Sequence, residues 1–414
     1  MADWETLPHP LLVRVFSYLH PKELATCSRV CSTWFDLSQS RALWKRLLRR
    51  DFNVATADRP LYEEYKRLTY QTSPIVRGKL VTSNPHVDEL WNVAFSHDGN
   101  FLAVAGKDSR VTVWFVDSGR ATATIRWSLP LSPIQNAQLV VFSPDDALLL
   151  VSTRRSNLSG EQIVCQVNSG NVVLRLRNVF RSVFGAWINS SWFLTSYENI
   201  QDVFHVDLVC VTDLQRITVL LTTFCDQYQF IQFGLPIKGA DGYKILFESR
   251  TSASWHFVAL KVQVEANGEP ISLVPPKDSF DQTQPLVGSS FGLVLSPRDE
   301  EIVRLARTEK EGPPEISVHS ANSLQLLHRL PTHNLPQPRG LYYCFLSVTE
   351  EIVACGSESG DIFIWDRQQR VQTGQLVGHT EFCNAVATSP AQPNLFASVS
   401  DDQTIRLWMF RTVK

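Results

Sequence analysis

The sequence predicts a small all-α N-terminal domain followed by an all-β domain with the architecture of a seven-bladed β-propeller. Apolar residues recur at intervals of three and four through roughly the first seventy residues, which is the period of an amphipathic helix. From residue 75 onward the pattern changes to short alternating runs, and similar turns return about every 45 residues. A repeat of that length with four strands per unit is typical of propeller blades.

Composition and charge exclude several functional classes. Of the 414 residues, 44% are hydrophobic and 19% are charged, which is typical of folded domains rather than disordered chains. The formal net charge of -2 offers no overall positive field for nucleic acid or a membrane surface. No apolar run approaches about 18 residues, and the first residues lack a secretory signal. The eight cysteines are widely spaced, so we expect a reducing compartment, the cytoplasm with the nucleus as a second location.

The N-terminal helices carry a wide apolar stripe. In the first helix it consists of Leu11, Leu12, Val15, Phe16 and Leu19. Some fifty residues in short helices make only a marginal core, so the pattern predicts a docking module whose apolar face is incompletely buried. A helical cap on the next domain is the alternative. The basic run on the last helix is interpreted as a solvated face, and it comprises Arg41, Lys45, Arg46, Arg49 and Arg50.

The order of these residues resembles the F-box pattern over residues 3–50. The matching positions are Leu7-Pro8, Leu11-Leu12, Val15, Leu19, Leu24, Val30-Cys31, Trp34 and Leu43-Trp44. The resemblance implies an F-box at residues 1–50 that binds the small Skp adaptor and, through it, cullin and RING subunits. The residues that it implies form or support the adaptor face are Leu7, Pro8, Leu11, Leu12, Val15, Leu24 and Trp34. Residues 51–73 are expected to continue as linker helices.

Seven turn motifs divide residues 74–414 into repeating units. The four clearest, whose first two lie 47 residues apart and whose last two lie 93 apart, are Ser96–Gly99, Ser143–Asp146, Ser296–Asp299 and Ser389–Pro390. Weaker equivalents lie near Asn189–Ser191, Gly239–Gly242 and Ser347–Glu350. A ring must close, and the last repeat ends at Trp408, close to the end of the sequence. We therefore expect a strand at residues 75–81 to complete the last blade.

Three units end in strands that resemble those of WD repeats, namely Val111–Trp114, Ile362–Trp365 and Ile405–Trp408. In that family a His, a Ser or Thr, a turn Asp and the Trp form a buried hydrogen-bond chain within one blade. The residues to which the resemblance assigns this role are His86, Asp108 and Trp114 in the first unit and His379, Ser398, Asp402 and Trp408 in the last. Because buried polar groups need partners, a structural role is preferred to catalysis or metal binding.

Motifs for catalysis are absent from the sequence. There is no Walker loop, no Gly-x-Gly-x-x-Gly fingerprint and no His-Glu-x-x-His motif. The string from Gly288 to Gly292 matches Gly-x-Ser-x-Gly, but a strand rather than a helix is predicted after the serine. Cys27 and Cys31 lack a second Cys or His pair at zinc-binding spacing. We therefore expect a non-catalytic protein without cofactor or metal, whose partners carry out any transfer chemistry.

Loops on a rigid propeller are suited to binding a protein substrate. Trp91 and Asn384 occupy matching positions at the start of the inner strand in the first and last repeats, where they could contact substrate. Packing within the blade is the alternative role for both. Arg154, Arg155 and Arg307 could pair with acidic or phosphorylated segments, and ordinary surface charge is the alternative.

Nearly the whole chain resembles the F-box/WD repeat-containing protein family. Four motifs are similar to one member in particular, and they are Arg177–Phe180, Val183–Trp187, Ile364–Arg367 and Ser400–Trp408. That member is expected to hold a longer insertion between the middle blades. The resemblance implies the substrate-recognition subunit of an SCF-type (Skp-cullin-F-box) ubiquitin ligase, which presents a protein for ubiquitination and proteasomal degradation. Two alternatives stay open: a receptor of a cullin-four ligase, binding the cullin-four adaptor through Trp365–Arg367, and a scaffold without a degradative role.

Overall fold

The structure is a computed structural model. It describes residues 8–19, 24, 27–52, 61, 77–81, 84–155, 159–180, 185–198, 204–220, 228–239, 242–251, 255–265, 270–274, 286, 288–298, 300–307, 314–332, 335–336 and 344–409. Leu7 and nearly all of the segment predicted as linker helices (residues 51–73) lie outside these ranges.

The N-terminal unit contains three helices in its described part. They are α1 (His9–Phe16), α2 (Ser32–Ser38) and α3 (Arg41–Phe52). Pro8 occupies the position before α1, and Pro10 lies in its first turn, where a missing amide hydrogen costs least. Eight residues form the buried core of this unit: Leu12, Phe16, Leu24, Leu37, Leu43, Trp44, Leu47 and Leu48. No helix among the described residues has the length and apolar character needed to cross a bilayer.

The remainder of the described chain forms seven four-stranded antiparallel sheets, which we call blades 1 to 7. Blade 1 comprises β2 (Leu90–Phe95), β3 (Phe101–Gly106), β4 (Arg110–Asp117) and β5 (Thr122–Pro130). Blade 2 comprises β6 (Gln135–Phe142), β7 (Leu148–Arg155), β8 (Ser159–Gln166) and β9 (Val172–Phe180). Blade 3 comprises β10 (Gly185–Trp187), β11 (Trp192–Glu198), β12 (Phe204–Cys210) and β13 (Arg216–Leu220). Blades 4 and 5 comprise β14 (Tyr228–Gly239), β15 (Gly242–Thr251), β16 (Trp255–Val264) and β17 (Pro270–Val274), then β18 (Ser289–Leu295), β19 (Glu301–Arg307), β20 (Pro314–Ser320) and β21 (Leu326–Leu330). Blades 6 and 7 comprise β22 (Ser347–Val348), β23 (Ile352–Gly356), β24 (Ile362–Asp366) and β25 (Val371–Leu376), then β26 (Cys383–Thr388), β27 (Leu395–Ser400), β28 (Ile405–Met409) and β1 (Arg77–Leu80).

The inner strands form a closed ring. Each of β2, β6, β10, β14, β18, β22 and β26 touches the next, and β26 touches β2 again. β1 pairs with β28, with Arg77 opposite Met409 and Leu80 opposite Arg406, so a strand from before the first blade completes the last one. The predicted fold class, a small helical unit and a seven-bladed propeller, is confirmed. The middle blades form even though they lack the sequence marks of the first and last repeats.

The recurring turn motifs have a common hydrogen-bond pattern. In blade 1, Ser96 Oγ donates to Asp98 Oδ1 at 2.6 Å, and Gly99 closes the turn at a φ of 73°. In blade 2, Ser143 Oγ donates to Asp145 Oδ1 at 2.6 Å, and Asp146 takes the closing position at a φ of 56°. Positive φ favours Gly, Asn and Asp, which explains why these residues end the motif.

Candidate functional site

The N-terminal unit presents an apolar face to solvent on α1. Leu11 and Val15 are 50% and 41% exposed, and Tyr18, in the turn after the helix, is also exposed. These three side chains follow one another at helical spacing, on the side away from the core residues of α1. Pro8 is exposed beside them at the start of the helix. An apolar face without cover favours a protein partner.

The other predicted adaptor residues support this face from inside. Leu12 and Leu24 are completely or almost completely buried in the core of the unit. Trp34 is half-buried, and its ring meets the Phe16 ring edge-on with centroids 5.1 Å apart. The predicted set therefore divides into residues that can touch a partner and residues that hold the helices in place. Their roles in adaptor binding stay predictions.

The basic run on α3 is mostly solvated, as expected, but one member has a structural contact. Arg50 Nη1 donates to the carbonyl oxygens of Ser17 at 2.6 Å and Leu19 at 3.4 Å, just beyond the end of α1. A guanidinium placed there satisfies carbonyl groups that the helix leaves without an internal donor.

Blade 7 holds a buried chain of hydrogen bonds. His379 Nδ1 lies 3.0 Å from Asp402 Oδ2, and His379 Nε2 lies 2.7 Å from Ser398 Oγ. Trp408 Nε1 donates to the same Ser398 oxygen at 2.8 Å. Burial alone would raise the pKa of Asp402, but hydrogen bonds from His379 and Thr404 hold it well below its usual range. The ionised Asp402 therefore accepts the Nδ1 proton, and each buried polar atom in the chain has a partner.

Blade 1 builds the same chain with one different residue. His86 Nδ1 lies 2.9 Å from Asp108 Oδ2, and His86 Nε2 lies 2.9 Å from Thr112 Oγ1. Trp114 Nε1 donates to Thr112 Oγ1 at 2.9 Å. Thr112 was not among the predicted residues, because the WD-repeat pattern places the hydroxyl on the second strand of the blade.

In blade 1 the hydroxyl comes from the strand that faces the one used in blade 7. In blade 7, Ser398 on β27 pairs with Arg406 on β28. At the equivalent pair in blade 1, Val104 is on β3 and Thr112 is on β4. Directly opposed residues have neighbouring side chains, so a hydroxyl from either strand reaches the same His and Trp nitrogens. A Thr two residues before the Trp, on the same face of its strand, is the signal that could have identified it.

Trp91 and Asn384 lie in corresponding β-bulges of β2 and β26. Trp91 is half-buried, and its Nε1 donates to Glu89 Oε2 at 3.1 Å. Asn384 is buried, and its Nδ2 donates to Leu90 O at 2.8 Å and to Asp401 Oδ1 at 2.6 Å. With both amide protons used, Asn384 holds blade 7 to blade 1. The roles of Trp91 and Asn384 in substrate binding stay predictions.

Asp401 should make stability depend on pH near neutrality. Burial raises the pKa of Asp401 to about 6, and the Glu89 and Glu381 carboxylates add to this while Asn384 opposes it. Because the folded state holds the Asp401 proton more tightly than the unfolded state does, protonation of Asp401 stabilises the folded state. This contribution is complete below about pH 4 and is lost as pH rises through about 6. At pH 7.5, Asp401→Asn should stabilise the protein by about 1 kcal/mol, a value discounted because the carboxyl is partly exposed. Urea denaturation of both proteins at pH 4.5, 6 and 7.5 tests this, and a difference that does not shrink at low pH would contradict it.

The three candidate arginines of the propeller lie in two different blades. Arg154 and Arg155 are adjacent on β7 and therefore point to opposite faces of the sheet. Arg155 lines a pocket in blade 2, whereas Arg154 does not. Arg307 lies at the end of β19 in blade 5. Their roles in substrate binding stay predictions.

No catalytic arrangement appears in the described part of the chain. Ser290, of the Gly-x-Ser-x-Gly string, is buried within strand β18 rather than at a strand-to-helix turn. Among the described residues no group of three His, Cys, Asp or Glu side chains could hold a metal ion.

Both parts of the chain are similar to known families. The F-box-like family matches residues 4–50, and the family described as WD domain, G-beta repeat matches residues 78–114 and 370–409. F-box/WD repeat-containing protein 5 of Homo sapiens is 23% identical over 537 aligned residues, covering 97% of this chain and 94% of that protein. The predicted resemblance to F-box/WD repeat-containing proteins, including protein 5, is confirmed.

Two other relatives match the chain more narrowly. A WD repeat-containing protein 26 homolog of Drosophila melanogaster is 25% identical over 326 residues, which cover 78% of this chain and 46% of the relative. GID complex subunit 7 of Schizosaccharomyces pombe is 40% identical over 65 residues, 16% of this chain and 13% of the relative.

The alignment with the human protein contains positions that this chain lacks. Since 97% of 414 residues is about 402, about 135 of the 537 aligned positions have no counterpart here. This agrees with the expected longer insertion in that relative.

Proposed function

Because the chain combines an F-box-like segment with a WD-repeat propeller, we propose that it is the substrate-recognition subunit of an SCF-type ubiquitin ligase. The exposed apolar face of α1 binds the Skp adaptor, and the propeller binds a protein substrate. The observation that carries this proposal is the uncovered pair Leu11 and Val15 on a helix whose opposite side already fills the core. Such a face has no further role inside a unit of this size.

The chemistry under this proposal is carried out by partners. Holding adaptor and substrate on one chain converts ubiquitin transfer into a reaction at high effective concentration. The chain itself then needs two binding surfaces and a rigid propeller, but no nucleophile or metal.

Adaptor binding should be lost when the α1 face is charged. In the full-length chain, Leu11→Asp combined with Val15→Asp is expected to weaken binding to a purified Skp adaptor by at least about thirtyfold, equivalent to about 2 kcal/mol, because buried apolar contacts become desolvated carboxylates. Affinity is measured by titration calorimetry, with thermal unfolding to show that the variant is folded.

Lys45→Glu is a matched control, because Lys45 is an exposed residue of α3 on the solvated face. It should bind the adaptor as the unaltered chain does. If the double variant binds the adaptor normally, or if the unaltered chain does not bind it at all, the ligase proposal is overturned.

A role in complex assembly without degradation is the second candidate. The 40% identity with GID complex subunit 7 over 65 residues supports the first part of this candidate, membership of a protein complex, and not the absence of degradation. A receptor of a cullin-four ligase has weaker support, since Arg367 follows Asp366 directly, one position earlier than the Trp-Asp-x-Arg unit requires. Binding to the Skp adaptor separates the first proposal from both.

A further inference from the structure

Three of the eight cysteines come together where blade 6 meets blade 7. Cys344 lies just before β22, Cys355 is on β23 and Cys383 is the first residue of β26. All three are at most 4% exposed. Cys344 Sγ lies 3.7 Å from Cys355 Sγ. The other two cysteines are 11 and 39 positions from Cys344 in sequence, so the fold alone brings these thiols together.

The two closest sulfurs share one backbone acceptor. Cys355 Sγ donates to Gly356 O at 3.0 Å, and Cys344 Sγ lies 3.6 Å from the same oxygen. Glycine is needed at position 356 because a Cβ there would overlap the carbonyl oxygen of Cys383 on the next blade. The thiol pair therefore lies where two blades approach closely, and new bonding at either sulfur should affect the contact between them.

A small cavity of about 30 Å³ adjoins both cysteines. Its walls include Cys344 and Cys355 together with Leu335, Phe382 and Glu358. A space of this size holds a molecule about as large as one or two waters, but not a peptide disulfide. The Glu358 carboxylate disfavours an anionic oxidant in the cavity. A small neutral hydroperoxide is therefore the class of oxidant that fits.

The surroundings of the three thiols assign them different roles. The hydrogen bond with Cys344, followed by burial, raises the pKa of Cys355 well above its usual range. Burial and the sulfur of Cys344 raise the pKa of Cys383 in the same direction. Because the thiolate is the nucleophile, a raised pKa makes both thiols poor attacking groups. Cys344, the most exposed of the three, is left as the first site of attack on an oxidant.

We propose that Cys344 and Cys355 form a dithiol that a small neutral hydroperoxide oxidises to an intramolecular disulfide. Cys344 Sγ attacks one peroxide oxygen, the O–O bond breaks, and the leaving hydroxide takes up the thiol proton to depart as water. Cys355 Sγ then attacks the sulfenic sulfur of Cys344, the S–O bond breaks, and a second water leaves. Two thiols are oxidised and one hydrogen peroxide is reduced, giving one disulfide and two waters.

The disulfide would change the contact between blades 6 and 7. The two sulfurs would approach from 3.7 Å to about 2 Å, and Gly356 O would lose the S–H group that donates to it. A modification site of this kind goes beyond the proposed function and does not depend on adaptor binding.

The test exposes the reduced full-length chain to hydrogen peroxide, then denatures it and labels free thiols with N-ethylmaleimide. Intact mass should show two fewer labels than the eight of the reduced chain, and dithiothreitol should restore all eight. Trypsin leaves both cysteines on the peptide Gly340–Arg367, which should carry no label after oxidation. Cleavage after Glu350 or Glu351 separates the two cysteines, so the fragments should stay joined only until dithiothreitol is added.

Single alanine variants separate the two steps. In Cys355→Ala the oxidation should stop at the sulfenic acid of Cys344, which dimedone captures, whereas Cys344→Ala should form neither a disulfide nor a dimedone adduct at Cys355. Cys383→Ala is the matched control, because it removes a neighbouring buried thiol and should leave disulfide formation unchanged. In the unaltered chain, Cys165, an equally buried cysteine of blade 2, should lose its label at least tenfold more slowly than Cys344.

Four results would overturn the proposal. The first is full labelling of all cysteines after peroxide treatment, and the second is oxidation confined to Cys27 and Cys31 of the N-terminal unit. The third is a bond from Cys344 to Cys383, which would join two different tryptic peptides. The fourth is conversion of Cys344 in the unaltered chain to sulfinic acid without a disulfide, which would make it a single oxidisable thiol.

Discussion

Glu248→Ala and Arg304→Ala are each expected to destabilise the propeller by about 3–5 kcal/mol, because either change leaves a buried charge without its counterion. Both side chains are at most 1% exposed. Arg304 Nη2 donates to Glu248 Oε1 at 2.8 Å and to Gly288 O at 2.6 Å. The pair joins β15 of blade 4 to β19 of blade 5, so its loss should weaken the contact between the two blades.

The buried imidazole next to this pair does not supply a replacement charge. Burial and the positive charge of Arg304 lower the pKa of His319 to about 4, so that imidazole is neutral at pH 7. Glu248 Oε2 has no hydrogen-bond partner among the described residues. A carboxylate left behind by Arg304→Ala would therefore be protonated or would draw water into the blade contact.

A double variant separates the attraction between the charges from the cost of burying them. Glu248→Leu combined with Arg304→Met removes both charges and keeps side-chain volume, so it should be less destabilised than either alanine variant. Apparent melting temperature and urea midpoint of the full-length chain provide the comparison, with the exposed pair Arg298 and Glu350 as control. Breaking that surface pair should cost less than about 1 kcal/mol. A double variant less stable than both single variants would contradict this explanation.

The number of blades could be predicted from sequence because a local rule recurs. The Ser-x-Asp turn forms its hydrogen bonds within a few residues, as at Ser96 and Ser143. The same short motif therefore recurs in the sequence of each well-formed repeat. Helical spacing likewise predicted the stripe on α1. It did not separate Leu11 from Leu12, because both lie within one wide apolar arc and only packing against Leu24 and α3 selects the inner residue.

The pocket in blade 2, which Arg155, Glu161 and Arg175 line, could not be predicted because its parts meet only through strand register. Arg155 and Arg175 are 20 residues apart, and they face Glu161 only after β7, β8 and β9 have paired. Arg154 and Arg155 look equivalent in the sequence, yet alternation along β7 sends only Arg155 into the pocket. A β-bulge has a similar effect at Asn384, which turns a predicted contact residue into a buried link between blades.

Ser398→Val is expected to destabilise blade 7 by about 2–4 kcal/mol, because it removes the hydroxyl that serves two buried nitrogens. His379 Nε2 and Trp408 Nε1 both bond to that oxygen, at 2.7 and 2.8 Å. A valine offers no donor or acceptor, and blade 1 accommodates one at the equivalent position, Val104. The loss should appear as a lower urea midpoint and faster amide hydrogen exchange in β26–β28.

Blade 1 indicates how the loss can be repaired. It has valine where blade 7 has Ser398, and it supplies the hydroxyl from Thr112, at the position that Arg406 occupies in blade 7. Arg406→Thr in the Ser398→Val background should therefore recover at least about 1 kcal/mol, because the new hydroxyl can reach both nitrogens. Arg406→Val in the same background removes the arginine without adding a hydroxyl, and it should recover nothing. Equal stability of the Arg406→Thr and Arg406→Val variants would contradict this explanation. The two blades would then be alike in the side-chain volume at this pair of strands and not in a shared hydroxyl.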